Sequence, residues 1–387
     1  MTGEQDGKRQ QISRRLVLFF PGFEPLGAEQ HRGRFVHALA KTGPVYGSQY
    51  QATALQIRPS GLPGFSVTGS GDSWRTETEI VIFDWSPVLE HFANRNVLIR
   101  FVSGLIALAG FILRGTLFRY LATSWRYGLF FAYPLVLILA CILVAMIASS
   151  FAGGGIAGWL AGALVGGLLA WFFARKAHLL LMMDDWTFAA RVAEGKHAVI
   201  EDILKTFRSV LRSELNGSQD ETLVVGHSLG CVYAVDALAS ADPQNDRRIS
   251  LLTTGSSLLK IALDKPAEWL REDVKTIIKT ETLWLDVQAL TDVISFYGSN
   301  PAAAAGVSNA NSLKTLKVRF RKMLLPASYA KGKFNLFRTH RQFVLAAEQP
   351  YFYSLHQIAC GPDPFDLIWK SGGLPGQNAK ATESGLT

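Results

Sequence analysis

Short and long apolar runs alternate along this chain, and the two kinds predict different structure. Residues 16–20, 79–85, 222–225, 250–254 and 282–286 are short runs closed by glycine, proline or polar residues, the pattern of buried strands. Residues 53–57 and 65–68 suggest a hairpin around Ser60-Gly61-Leu62-Pro63-Gly64. Apolar positions recur at helical spacing over 29–41, 186–215, 231–239 and 266–279, the first of these burying Phe35, Val36 and Leu39. Strands alternating with helices predict an α/β protein with a mostly parallel sheet. The run at 16–20 is too short for a signal-peptide core and is stopped by Pro21-Gly22, so the N-terminus is expected to start in the cytoplasm.

The long runs are of another kind. Residues 128–150 and 153–173 are uncharged over 23 and 21 positions, and about 20 apolar residues span a hydrocarbon core. Only a short uncharged link separates them, so they predict a transmembrane helical hairpin. Gly154, Gly158, Gly162 and Gly166 recur every four residues and leave one helix face bare. That face suits close approach of the hairpin partner or, as the alternative, a homo-oligomer contact with a second copy of the chain.

A third stretch, 97–113, is broken by Arg100 and followed by Arg114 and Arg119. Strands from before and after the insert are expected in one sheet, which a bilayer cannot divide, so the insert crosses an even number of times. The 97–113 helix is therefore expected to lie in the headgroup layer, its arginines held by anionic lipid. The organisation predicted is a polar tail (1–13), a first part of the α/β domain (14–90), a membrane insert (91–184), the second part of that domain (185–370) and a loose tail (371–387).

Composition narrows the classes. Of the 387 residues 49% are hydrophobic and 18% charged, which excludes a disordered chain. Three cysteines, Cys141, Cys231 and Cys360, exclude a disulfide scaffold and fit a reducing compartment. The net charge of +8 is mostly local. Residues 91–183 hold no Asp or Glu but carry Arg95, Arg100, Arg114, Arg119, Arg126, Arg175 and Lys176. Basic residues flanking apolar runs point to a lipid bilayer and away from nucleic acid. Arg126 before the first span, with Arg175 and Lys176 after the second, predicts that both outer ends face the cytoplasm. The expectation is an integral protein of the cytoplasmic or inner membrane with its α/β domain on the cytoplasmic side.

The candidate chemistry lies outside the insert. Gly153-Gly154-Gly155-Ile156-Ala157-Gly158 has dinucleotide-fingerprint spacing but lacks the preceding strand and the following acid, and the next acid is Asp184. No P-loop, H-E-x-x-H or zinc spacing occurs, so neither metal nor organic cofactor is expected. Gly226-His227-Ser228-Leu229-Gly230 is a G-x-S-x-G sequence with an apolar strand before it and a helix after it. That context is a nucleophile elbow: the glycines leave room for a sharp turn that lifts Ser228 into the site. The Leu229 N–H, at the start of the helix, is placed to stabilise an oxyanion.

A serine hydroxyl needs a base, and in this arrangement the chain order is serine, acid, histidine. Only His340 and His356 follow Ser228. His340 is preferred, because His356 adjoins the aromatic stretch 351–355 and suits packing. Asp292, just beyond a strand, is the preferred acid, with Asp286 on the strand as the alternative.

These residues resemble the lipase/esterase-like members of the α/β-hydrolase family. Gly226-His227-Ser228-Leu229-Gly230 resembles the family's elbow, and Phe20-Pro21-Gly22-Phe23 the turn that carries its second oxyanion donor, which assigns that role to Phe23. Thr253-Thr254-Gly255-Ser256 resembles the strand end after the nucleophile helix, and Trp284 with Asp292 the strand and loop that hold the acid. The resemblance covers 14–90 and 185–360; the family often has His-Gly where this chain has Pro21-Gly22. It implies an α/β-hydrolase fold interrupted by a membrane hairpin, and a serine hydrolase acting on a hydrophobic ester through Ser228, His340 and Asp292. The alternative expectation is a hydrolase-like membrane scaffold or regulatory domain without turnover.

Overall fold

Arg14–Phe20 (β1) is buried at every position but the first, as an apolar run must be when both faces of its sheet are covered. The computed structural model describes residues 11–176, 179–195, 198–214, 219–241 and 249–377. After β1 come the helix Ala28–Thr42 (α1) and the strands Gln49–Ala52 (β2), Gln56–Ile57 (β3), Pro63–Gly71 (β4) and Trp74–Ile82 (β5). Six helices follow: Ser86–Ala93 (α2), Val97–Leu113 (α3), Thr116–Thr123 (α4), Trp125–Phe151 (α5), Gly155–Lys176 (α6) and Leu179–Glu194 (α7). The α/β part resumes with Ala198–Glu214 (α8), Glu221–His227 (β6), Gly230–Ser240 (α9), Ile249–Thr254 (β7), Leu258–Ala262 (α10), Glu268–Lys279 (α11), Leu283–Ala289 (β8) and Leu313–Val318 (β9).

The strands form one mixed sheet in the order β2-β4-β5-β1-β6-β7-β8-β9, with β3 paired to β4. From β5 to β9 every pairing is parallel, and the strands around β4 are antiparallel. Alternation along β1 divides the core between the two faces. Val17 and Phe19 join Phe35 and Leu39 of α1 with Leu355 and Ile358 of a C-terminal helix. Phe20 points the other way, stacked on Phe83 at 3.9 Å and edge-on to Phe207 of α8. Arg15 is buried in an ion pair with Glu221 and donates to the carbonyls of Ala359 and Gly361, tying β1 and β6 to the C-terminal segment.

The chain divides into two compact units: the sheet with its helices, and residues 88–197 with 263–267. In the second unit α5 and α6 are long and apolar enough to cross a membrane, and only 11% of each apolar window is buried inside the protein. They pack side by side. A Cβ on Gly158 or Gly162 would lie 2.6 Å from the carbonyl oxygens of Ser149 or Ala145, and one on Gly166 would lie 2.9 Å from the Cβ of Ala145. These three glycines thus lie against α5 of the same chain. Gly154 lies in the turn with φ +70 and meets nothing within 4 Å.

The arginines on and after α3, expected to be held by anionic lipid, have protein partners. Asp184 on α7 accepts from Arg95 at 3.1 Å and from Arg100 at 2.6 Å. Asp264 takes Arg114 in a two-pronged pair at 2.9 and 2.7 Å, and Arg119 donates to the Leu263 carbonyl. These guanidinium groups are satisfied by protein acceptors, a fixed geometry that planar arginine favours. The apolar side chains of Leu98, Val102, Ile106 and Leu113 on α3 are exposed. Alone α3 is too short to count as a span; with α2 it qualifies only as a pair bent by 106°.

Smaller expectations shift as well. Of the hairpin strand expected at 53–57 only the two-residue β3 forms, and β2 ends just before that range; the strand expected at 79–85 starts earlier, at Trp74. The helical periodicity over 186–215 resolves into α7 and α8. Val36 is only half-buried, while Phe35 and Leu39 are in the core. The tail after 377 lies outside the described residues.

Candidate active site

β6 ends in a backbone shape that few side chains accept. Ser228 has φ +54, and among the described non-glycine residues it shares a positive φ only with Glu281. Such a conformation is strained for a residue with a Cβ and persists only when its surroundings hold it. Here they do. The Ser228 N–H donates to the Thr254 carbonyl at 3.1 Å, and the Ser228 carbonyl accepts from the N–H of Ser257 at 3.1 Å. A Cβ on Gly226 would lie 2.7 Å from the Cα of Cys231, and one on Gly230 only 2.1 Å from the Phe20 carbonyl oxygen. Both glycines are therefore needed for the turn from β6 into α9 to close against the end of β1.

The loop after β1 is held over this turn. Trp85 Nε1 donates to the Pro21 carbonyl at 3.1 Å, and the Trp85 ring stands edge-on to Phe23 at 6.0 Å. Phe23 therefore sits in the loop that abuts the elbow, and Leu229 lies immediately before α9.

Asp292 and His340 meet although 48 residues separate them. Asp292 lies in the loop after β8; its Oδ1 accepts from the Ile294 N–H at 3.0 Å, and its Oδ2 is 2.8 Å from His340 Nδ1. Both residues are buried. A carboxylate at Nδ1 holds the proton there and leaves Nε2 as the basic nitrogen. His340 Nε2 is buried and has no hydrogen-bond partner among the described residues. The imidazole lies beside the elbow: its centroid is 5.0 Å from that of His227, and its Cε1 would be 3.3 Å from a Cβ on Gly255. Among the described residues no hydrogen bond joins Ser228 to His340; Ser228 Oγ is 3.4 Å from Ser257 Oγ.

The remaining candidates stand apart. His227 Nδ1 lies 3.1 Å from the Thr254 carbonyl, and burial with the neighbouring His340 holds its ring well below the usual histidine range, hence neutral. His356 is wholly buried against Phe35 at 4.7 Å, neither nitrogen is hydrogen-bonded among the described residues, and burial pushes its ring down to about 3. Asp286 is on β8 itself, where it accepts from Thr253 at 2.6 Å and Gln288 at 2.7 Å, with burial raising its carboxyl. Neither His356 nor Asp286 joins the Asp292–His340 pair.

Sequence reasoning missed Ser257, beside Ser228, and a second basic tract. Residues 293–347 hold no Asp or Glu and nine lysines and arginines. Acids elsewhere cancel this charge in the total, so only a windowed count of carboxylates reveals it. Comparisons with family models, with curated proteins and with solved structures find no match to this chain.

Proposed function

We propose that this protein is a membrane-anchored serine hydrolase of α/β-hydrolase type, cleaving a hydrophobic carboxylic ester or thioester. The observation that carries the reading is Ser228 at φ +54 between two glycines that tolerate no side chain, at the end of a central parallel strand. The Asp292–His340 pair beside it supplies a base already oriented by a carboxylate.

In the reaction, Ser228 Oγ attacks the carbonyl carbon while its proton passes to His340 Nε2. Asp292 holds the imidazole tautomer and balances the imidazolium charge. The N–H groups of Leu229 and Phe23 receive the oxyanion. Collapse breaks the bond to the leaving group, which takes the proton from Nε2, and water repeats the sequence on the acyl-enzyme to release the acid. The Ser228–His340 bond closes on substrate binding, since catalytic hydrogen bonds in ligand-free sites are often long. The hairpin α5–α6 anchors the enzyme, with both outer ends and the active site in the cytoplasm by the charge bias of Arg126, Arg175 and Lys176. A lipid-side anchor favours substrates with acyl chains.

A second reading, a hydrolase-like membrane scaffold without turnover, draws on the contact of Ser228 with Ser257 rather than His340. Treatment of membranes with a fluorophosphonate separates the two. The hydrolase reading expects covalent label on Ser228, lost in Ser228→Ala; an unlabelled, correctly inserted protein favours the scaffold.

A further inference from the structure

Arginines that approach the interior of the α/β unit are neutralised there: Arg15 by Glu221, Arg34 by Glu24 and Arg208 by Asp236. A cleft at the C-terminal ends of β8 and β9 is built differently. It has a volume of about 320 Å³, and its walls include Lys317, Arg319, Arg321, Tyr297, Tyr329 and Phe320. Alternation along β9 turns Leu316 and Val318 inward and leaves Lys317 exposed. Just beyond the strand, where the short helix Phe320–Met323 begins, Phe320 is buried while Arg319 and Arg321 are exposed. Among the described residues none of these three cations has a carboxylate partner, and the acid-free tract 293–347 removes every nearby acid in sequence. Lys317 Nζ lies 5.7 Å from the ring centre of Tyr297, and the backbone of Arg319 is fixed by the Tyr351 hydroxyl at 2.9 Å.

Like charges gathered at one cleft repel unless an anion joins them, so the cleft is complementary to a multiply charged oxyanion. Its floor is apolar, from Leu290, Val318 and Phe320, which suits an anion attached to an organic chain. The cleft also adjoins the candidate active site. Thr291 in its wall precedes Asp292, and Phe320 is edge-on to Phe343 at 4.9 Å, whose ring centre is 6.5 Å from that of His340.

We propose that Lys317, Arg319 and Arg321 form a phosphate subsite, so that the ester cleaved at Ser228 belongs to a phosphate-bearing acyl compound. This rests on the hydrolase reading of Ser228. A neutral glyceride would leave the three cations unpaired, whereas a phosphate presents enough acceptor oxygens for several of them at once. Two sources share this chemistry: a phospholipid, and an acyl thioester on a phosphate-bearing carrier.

The test uses the full-length protein in detergent with Ser228→Ala, so that binding is read without turnover. Dihexanoylphosphatidylglycerol, dihexanoylglycerol, coenzyme A and inorganic phosphate are titrated in parallel. The proposal expects a phosphate-bearing amphiphile to bind at least about tenfold more tightly than dihexanoylglycerol, an advantage that falls with added salt. Lys317→Gln/Arg319→Gln/Arg321→Gln should erase that advantage, and Arg321→Gln alone should reduce it if the triple variant is poorly folded. Tighter binding of the phospholipid or of coenzyme A identifies the source, and either result supports the subsite. Inorganic phosphate competing as strongly as both amphiphiles would make the cleft a free-anion site and overturn the proposal. Equal phospholipid binding by folded variant and parent would overturn it too. With Ser228 intact, the ratio of kcat/KM for phosphate-bearing over neutral esters should fall about tenfold in the variants. Failure of fluorophosphonate to label Ser228 would remove the hydrolase reading while leaving the binding result to decide the cleft.

Discussion

A Cβ placed on Gly22 would stand 2.9 Å from the Cβ of Ser228 and 3.4 Å from the carbonyl oxygen of His227. The turn after β1 and the elbow after β6 thus meet without a side chain between them. Gly22→Ala forces one of them to move, and both are bound on their far sides, by Trp85 and by Thr254. The expected outcome is a fall in fluorophosphonate labelling rate of about a hundredfold, the order of effect of a 1 Å misplacement, with the hairpin still inserted. Labelling at the parent rate would show that the loop is not part of the site.

Asp292→Asn tests the orienting carboxylate. The carboxamide can donate to His340 Nδ1, which moves the imidazole proton to Nε2 and leaves no base facing the serine. Ester hydrolysis should drop by roughly 10³–10⁴-fold, and His340→Ala should do similar damage. Combining the two should add little, because such groups act as a unit. Asp286→Asn, within the Thr253 and Gln288 network, should instead lower the melting temperature. A reversal of these two phenotypes in steady-state assays would exchange the roles of the aspartates.

Buried histidines make the fold acid-sensitive, and His356 isolates the effect. Its folded-state value of about 3 lies below the ordinary 6.5 of the unfolded chain. The unfolded chain therefore takes up a proton that the folded state refuses, and stability is lost as pH falls from 6.5 toward 3. His31, held down to about 4 by burial and Arg34, acts in the same direction. His356→Leu removes one such proton and two unpartnered nitrogens. Relative to the parent it should gain roughly 1.4 kcal/mol of stability per pH unit between about 6 and 4. Denaturant unfolding at several pH values measures this, and curves that stay parallel to the parent's would refute it.

Pairing of β1 with β5 on one side and β6 on the other places strands from before and after α5 and α6 in one sheet. If α5 and α6 span a bilayer, the chain between β5 and β6 crosses it an even number of times. Single cysteines at Asp72 and Gln219 should react with an impermeant maleimide from one side, and a cysteine at Phe151 from the other. The native Cys141, Cys231 and Cys360 are buried. Opposite-side labelling of positions 72 and 219 is incompatible with this sheet spanning the insert.

Much of this architecture is written locally. Runs such as residues 16–20 and 222–225 are apolar at successive positions because both sheet faces are covered, so the central strands are legible without knowing their neighbours. Length and lack of charge mark α5 and α6, and the elbow is legible because its glycines and serine are adjacent in sequence. What stayed hidden depends on partners far apart in the chain. Arg100 reads as a lipid-facing cation until Asp184, 84 residues on, is seen to hold it. His340 and His356 both follow Ser228, and only the return of the chain past β8 brings one to Asp292 and leaves the other among aromatic side chains. Lys317, Arg319 and Arg321 look ordinary at the end of an edge strand until the cleft groups them. Sterics and hydropathy act between neighbours and so are visible in order along the chain. Charge pairing and hydrogen bonding act between whichever groups the fold makes adjacent, and that adjacency exists only in three dimensions.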